Sequence, residues 1–226
     1  MKTLLLWDID GTLILSAGAG ERALVVALRE VFGIEGSLEG IEMAGRTDRW
    51  IVRSIFKKFH LPVTPEQVNR YLEVYLAALP AELARKRGTV LPGIPEILAA
   101  THRRGEIANG LLTGNLRRGA ELKLDHYGLW AHFEFGAFAD DAELRDELGP
   151  HAVRRACAHH RVEFATHRVW VIGDTPHDIA CGKAIGAHTV GVATGRYSVA
   201  ELQACGATAA LADLHDTEAF MQLVGR

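Results

Sequence analysis

Short apolar runs alternate with longer stretches of helical period along this chain, and that rhythm restricts the folds open to it. Residues 3–7, 107–112 and 168–172 are nearly continuous apolar runs, as strands buried on both faces require. Residues 189–192, 209–211 and 133–136 are shorter candidates. Segments of helical period at 95–104, 116–127, 150–160 and 177–185 separate most of them. Strand and helix in turn predict an α/β fold, a doubly wound parallel sheet with helices packed on it.

One stretch breaks the rhythm. Between Ser16 and Gly88 the signals are helical. Leu24, Leu28 and Val31 line one helix face over 21–31, and Ile51, Val52, Ile55, Phe56 and Phe59 another over 49–59. Thr64, Pro65 and Gln67 read as N-cap, first and third positions of a third helix. It should run to Leu83 or beyond, with a kink or break at Pro80. The expected organisation is a sheet domain from 1–15 and 89–226, with an all-helical insertion at 16–88. Gly18, Gly20 and Gly88 near the insertion's ends are candidate bending points.

Composition narrows the function classes. The chain has 226 residues, enough for one large domain or two small ones, and 48% are apolar, which argues against disorder. Lys and Arg number 25 against 28 acids, so a basic nucleic-acid-binding surface is not expected. No segment is long and apolar enough to span a membrane. Asp8 and Asp10 follow the N-terminal apolar run too soon for a signal peptide, so a cytoplasmic location is expected. Cys157, Cys181 and Cys205 are odd in number and widely spaced, which suits a reducing compartment and neither a disulfide framework nor a zinc site. No patch decides between monomer and homodimer.

The strongest chemical signal is Asp8-Ile9-Asp10-Gly11-Thr12-Leu13, directly after the first apolar run. At strand period, Asp8 and Asp10 tend to share one side. They would lie at the carboxyl end of a strand, where open α/β sheets bind ligands. Carboxylates this close repel, so a cation, a donor or a proton must serve one of them. Gly11 permits a sharp turn. A second segment, Leu112-Thr113-Gly114-Asn115, ends another strand in a hydroxyl and backbone N–H groups suited to phosphate oxygens. A third, Val169 to Asp178, ends a strand at Asp174, with Asp178 four residues on across one helical turn. Such hard oxygen donors suit Mg²⁺.

These three segments, in this order, resemble motifs I, II and IV of the haloacid dehalogenase-like hydrolases, mostly Mg²⁺-dependent phosphatases, and the helical insertion resembles that family's cap. The resemblance implies a Rossmann-like core. It also implies a small phosphorylated metabolite as substrate, Asp8 as nucleophile and Asp10 as general acid and base. Asp8, Asp10, Asp174 and Asp178 would serve the metal. Thr113, with Gly11, Thr12, Gly114 and Asn115, would hold phosphate. The family's motif III cation is usually Lys, but no Lys occurs between Lys123 and Lys183. Arg145 is therefore the expected cation, with Arg154, Arg155 and Lys183 as alternatives. Arg46, in the loop Ala44 to Asp48 of the insertion, could meet a substrate anion.

Asp10 and the motif IV acids favour phosphoryl transfer over dehalogenation. A phosphonatase would need a cap Lys for a Schiff base, and Lys57 and Lys58 follow an apolar helix face, where solvent exposure is expected. A sugar phosphomutase of the β-phosphoglucomutase type shares the core and cap. Its relatives tend to carry Val at the position of Thr12. A non-catalytic binding role on the same fold is the alternative of another class.

Overall fold

The computed structural model describes residues 2–85 and 88–225. Its centre is β1 (Thr3–Trp7), five residues that are all buried. Around it lie β4 (Ile107–Leu112), β5 (Gly136–Ala137), β6 (Val169–Gly173), β7 (His188–Val192) and β8 (Ala209–Leu211). Their order is β5-β4-β1-β6-β7-β8, and every pairing is parallel. Successive side chains of β1 alternate between faces, as strand geometry demands. Leu5 and Trp7 join Trp170, Ile172, Ile97, Leu98 and Phe220 on one side. Leu4 and Leu6 join Val169, Val171, Leu148, Ala152 and Ala156 on the other.

The helices that cover these faces are α4 (Ile94–Arg104), α5 (Arg117–His126), α6 (Leu148–His160), α7 (Pro176–Ala184), α8 (Val199–Ala204) and α9 (Thr217–Val224). The expected 133–136 strand is displaced to Gly136–Ala137, because only those residues pair with Leu111 and Leu112. Phe133 instead packs into the apolar core. Register sets the site. Trp7 lies opposite both Leu111 on β4 and Ile172 on β6. Asp8, Thr113 and Asp174 follow those residues within two positions, so the three strand ends deliver them to one edge.

The insertion is all-helical: α1 (Ala19–Phe32), α2 (Asp48–Lys58) and α3 (Pro65–Arg85). It has an apolar cluster of its own, with Leu24, Leu28, Val52, Ile55, Phe56, Tyr71, Tyr75 and Leu79 among its members. Phe56 meets Tyr71 edge to face with ring centres 5.4 Å apart. Thr64 caps α3 by accepting the Gln67 N–H at 3.3 Å. Pro80 does not break that helix, which continues to Arg85. Leu79 and Leu83 are buried on either side of the proline, and this packing outweighs the lost backbone bond. The chain leaves and re-enters the core through an antiparallel ribbon of β2 (Ile14–Leu15) and β3 (Thr89–Val90). At Gly88 a Cβ would strike the Leu15 carbonyl and the Tyr127 hydroxyl, so this glycine permits close packing.

Candidate active site

Asp8 leaves β1 with its N–H donating to the Ile172 carbonyl at 2.9 Å, which ties it to β6. The residue is only 4% exposed. Its Oδ1 lies 2.9 Å from Nη2 of Arg145. Burial pushes the Asp8 carboxyl up to about 6, helped by the charges of Asp178 and Asp10 and opposed by Arg145. Gly11 turns the chain at a φ of +86°, and a Cβ there would run into the Asp174 carboxylate. Thr12 is buried beside it, its hydroxyl without a partner among the described residues.

Asp174 follows β6 and is also 4% exposed. Its Oδ1 is buried and accepts no hydrogen bond from the described residues. Burial, then repulsion from Asp178 and Asp8, pushes its carboxyl up to about 8 against the pull of Arg145. Asp178, in the first turn of α7, is differently placed. Its Oδ2 accepts from the Thr175 N–H at 3.0 Å and the Thr175 hydroxyl at 2.7 Å, while Oδ1 faces the Arg145 guanidinium. Asp8, Asp174 and Asp178 each offer a carboxylate oxygen within 4.8 Å of the others. The orphaned Asp174 oxygen and the hard donor set fit a divalent cation.

Arg145 opens a short 3-10 turn, Arg145–Glu147, and is 7% exposed. Besides Asp8 and Asp178 it donates to the Gly45 carbonyl at 3.2 Å and the Leu112 carbonyl at 3.4 Å. Burial opposes its charge, but Asp178 and Asp8 outweigh burial and hold it protonated. The alternative cations lie elsewhere. Arg154 meets His151 at 3.0 Å, Arg155 holds Asp141 at 2.6 Å, and Lys183 donates to the Cys205 carbonyl at 2.7 Å.

Thr113 ends β4, its N–H donating to the Ala137 carbonyl at 3.1 Å. Its Oγ1 accepts from Nδ2 of Asn115 at 2.9 Å. The Gly114 carbonyl accepts the Asp48 N–H at 2.7 Å, and a Cβ on Gly114 would strike the Arg46 carbonyl. The 44–48 loop of the insertion therefore presses on this strand end. The Arg46 guanidinium, however, pairs with Glu42 at 2.7 Å and lies over the Trp50 ring at 4.3 Å. A cavity of about 290 Å³ opens between these parts. Asp8, Asp10, Asp174 and Arg145 line its core side, and Leu24, Met43, Ile51 and Tyr75 its insertion side.

Residues 5–183, which span most of the chain and every strand end of this site, match the haloacid dehalogenase-like hydrolases. The chain belongs to that family. A Dickeya dadantii (strain 3937) protein described as "Probable phosphatase IndB" is 27% identical over 206 residues, which cover 90% of this chain and 86% of that protein. Among solved structures, CbbY from Rhodobacter sphaeroides in complex with phosphate aligns with a TM-score of 0.77 at 17% identity, covering 96% of each chain. A hydrolase from Pseudomonas syringae aligns at 0.73 and 22% identity, covering 98% of this chain and 99% of the other. At such identities the structural likeness speaks for the fold: a six-stranded parallel sheet with flanking helices and an inserted helical cap.

This haloacid dehalogenase-like site contains residues that the motifs did not reveal. Asp10 is held by three side chains. Lys123 donates to its Oδ2 at 2.5 Å and Asn115 to the same oxygen at 3.0 Å, while Ser16 donates to Oδ1 at 3.0 Å. Burial works against the Asp10 charge, but Lys123 and these hydrogen bonds outweigh it and hold the carboxyl below its ordinary range. Asp48 accepts the Leu116 N–H at 2.7 Å, so a cap residue serves the N-terminus of α5. Burial raises its carboxyl to about 6, against the attraction of Lys123. One signal for Lys123 existed in the sequence. It shares the buried face of α5 with Ala120 and Leu124, where an apolar residue is the rule.

Proposed function

We propose that the protein is a divalent-metal-dependent phosphatase that cleaves a small phosphomonoester through an aspartyl-phosphate on Asp8. One observation carries the reading. Asp8 and Asp174 are buried carboxylates at adjacent strand ends; Asp8 pairs with a permanent cation, Arg145, and one Asp174 oxygen has no donor among the described residues. A carboxylate nucleophile, a cation site and a phosphate-compensating guanidinium need this arrangement. The description of the Dickeya dadantii relative as a phosphatase supports hydrolysis over the mutase alternative.

Asp8, the backbone carbonyl of Asp10 and Asp174 would hold Mg²⁺, with Asp178 in support because both of its oxygens are already engaged. When bound, the ion offsets repulsion between Asp8 and the phosphate dianion. Asp8 attacks phosphorus, a carboxylate–phosphorus bond forms and the ester P–O bond breaks. The arriving dianion raises the proton affinity of the Asp10 carboxylate, which takes up a proton as the substrate binds and passes it to the leaving oxygen. Asp10 then accepts a proton from water as that water attacks phosphorus, and Asp8 departs as carboxylate. The net change is ester plus water to alcohol plus phosphate. Arg145, Thr113 and the N–H groups after Thr113 stabilise the phosphoryl oxygens. The cap excludes bulk water during turnover. Arg46 lines the cavity, its pairing with Glu42 is solvent-exposed and readily exchanged, and it remains the candidate contact for a substrate anion.

The test is phosphate release from a panel of small phosphomonoesters, with Mg²⁺ and with chelator, beside Asp8→Asn. Metal-dependent release that the variant lacks is expected. Slow release combined with fast isomerisation of a sugar phosphate, dependent on a bisphosphate activator, would replace this reading with the mutase.

A further inference from the structure

Lys123 is the second buried cation of the site and has no place in the motifs. It is 5% exposed. Burying an ammonium costs several kcal/mol unless partners offset it. An apolar side chain would serve α5 better beside Ala120 and Leu124. The insertion seals Lys123 from above. A Cβ on Gly20 of α1 would lie 3.6 Å from its Nζ and 4.0 Å from the Tyr75 hydroxyl. Among the described residues, the hydrogen bonds of the ammonium go to Asp10 and to Asn115, which itself holds Asp10, and the nearby Asp48 charge adds to its attraction. Lys123 donates to Oδ2 of Asp10 at 2.5 Å and to Oδ1 of Asn115 at 2.7 Å, and Nδ2 of Asn115 donates to the same Asp10 oxygen at 3.0 Å. Ser16 closes the set on the other oxygen.

We infer that Lys123 is a positioning residue: with Asn115 and Ser16 it fixes the Asp10 carboxyl toward the leaving-group oxygen, and so makes the enzyme competent on unactivated alkyl phosphates. The inference rests on the aspartyl-phosphate reading above. A fixed proton donor matters only where the departing oxygen is basic. An alkoxide needs the proton as the ester bond breaks, whereas a nitrophenolate leaves without it. A residue that merely supports the fold would affect both esters alike.

The experiment compares kcat/KM for the fastest alkyl phosphate of the panel with that for p-nitrophenyl phosphate, in wild type and Lys123→Gln, with Mg²⁺. This ratio reports steps up to bond cleavage and excludes later hydrolysis of the aspartyl-phosphate. The alkyl value is expected to fall about 100-fold and the aryl value less than about 5-fold, the span set by general acid catalysis. Parallel falls, or no fall, overturn the inference. If Lys123→Gln lacks the thermal transition of the wild type, Ser16→Ala decides, since it deletes one donor and strands no buried charge. A loss about 3-fold or more larger on the alkyl ester supports the inference, on the same argument; equal changes overturn it. Wild-type protein inactive on both esters would refute the phosphatase reading and this inference with it. An active wild type whose variants lose both esters equally refutes the role of Lys123 alone.

Discussion

Asp174 lies in the folded protein as a carboxyl pushed up to about 8, against a value of 3.8 for the free group. Between those two values the folded chain holds a proton that the unfolded chain has released. Stability therefore falls as pH rises through the window. From pH 5 to pH 8 this covers three units at about 1.4 kcal/mol each, so Asp174 alone removes on the order of 4 kcal/mol from the metal-free protein. Asp8, raised to about 6, adds to the loss at the acid end of the same window. A bound divalent cation favours both ionised forms and reverses the penalty. The assay is urea unfolding at pH 5, 6, 7 and 8, in chelator and in Mg²⁺, for wild type and Asp174→Asn. In chelator the wild type should lose stability steadily with pH. Asp174→Asn, neutral throughout, should lose less by about 4 kcal/mol over the same window. Mg²⁺ should flatten the wild-type curve and leave that of the variant unchanged. A wild-type curve in chelator that is level or rises with pH, or the same slope in both proteins, would refute the electrostatic account of this site.

Three further outcomes follow from other contacts. Arg145→Ala should lower kcat/KM on phosphomonoesters by about 100-fold or more, because it removes a buried donor facing Asp8, while Arg154→Ala, next to His151, should stay within about 2-fold. Gly11→Ala combines a left-handed φ with a clash against Asp174, so thermal unfolding should show it destabilised by at least about 1 kcal/mol, with weakened Mg²⁺ binding by calorimetry. Phe56→Ala should cost about 3–5 kcal/mol in denaturant unfolding, since Phe56 is fully buried at the centre of the cap's own cluster.

Local features of the sequence determined more than the class of fold. The apolar runs at 3–7, 107–112 and 209–211 became strands with those bounds; for the central two, burial leaves a signature within a few adjacent residues, while the edge strand 209–211 is only partly buried. Asp8, Thr113 and Asp174 were legible as a group because each directly follows such a run, and parallel strands deliver their carboxyl ends to one edge. The Thr64 cap was legible for the same reason: its partner is three residues away.

Tertiary structure decided whatever depends on a distant partner. Arg145, Arg154, Arg155 and Lys183 are alike in sequence, and only packing turns one of them toward Asp8. Lys123 reaches Asp10 across 113 positions, and Asp48 reaches Leu116 across 68. Pro80 stays within a helix because leucines on either side are held by neighbours. Arg46 pairs with Glu42 and lies over the Trp50 ring, contacts that its loop sequence does not announce. The physical reason is common to all of these. Apolar burial scales with area and repeats with the period of the element, so a short window of sequence displays it. A buried charge is tolerated only beside a specific partner, and the identity of that partner is set by how the elements pack.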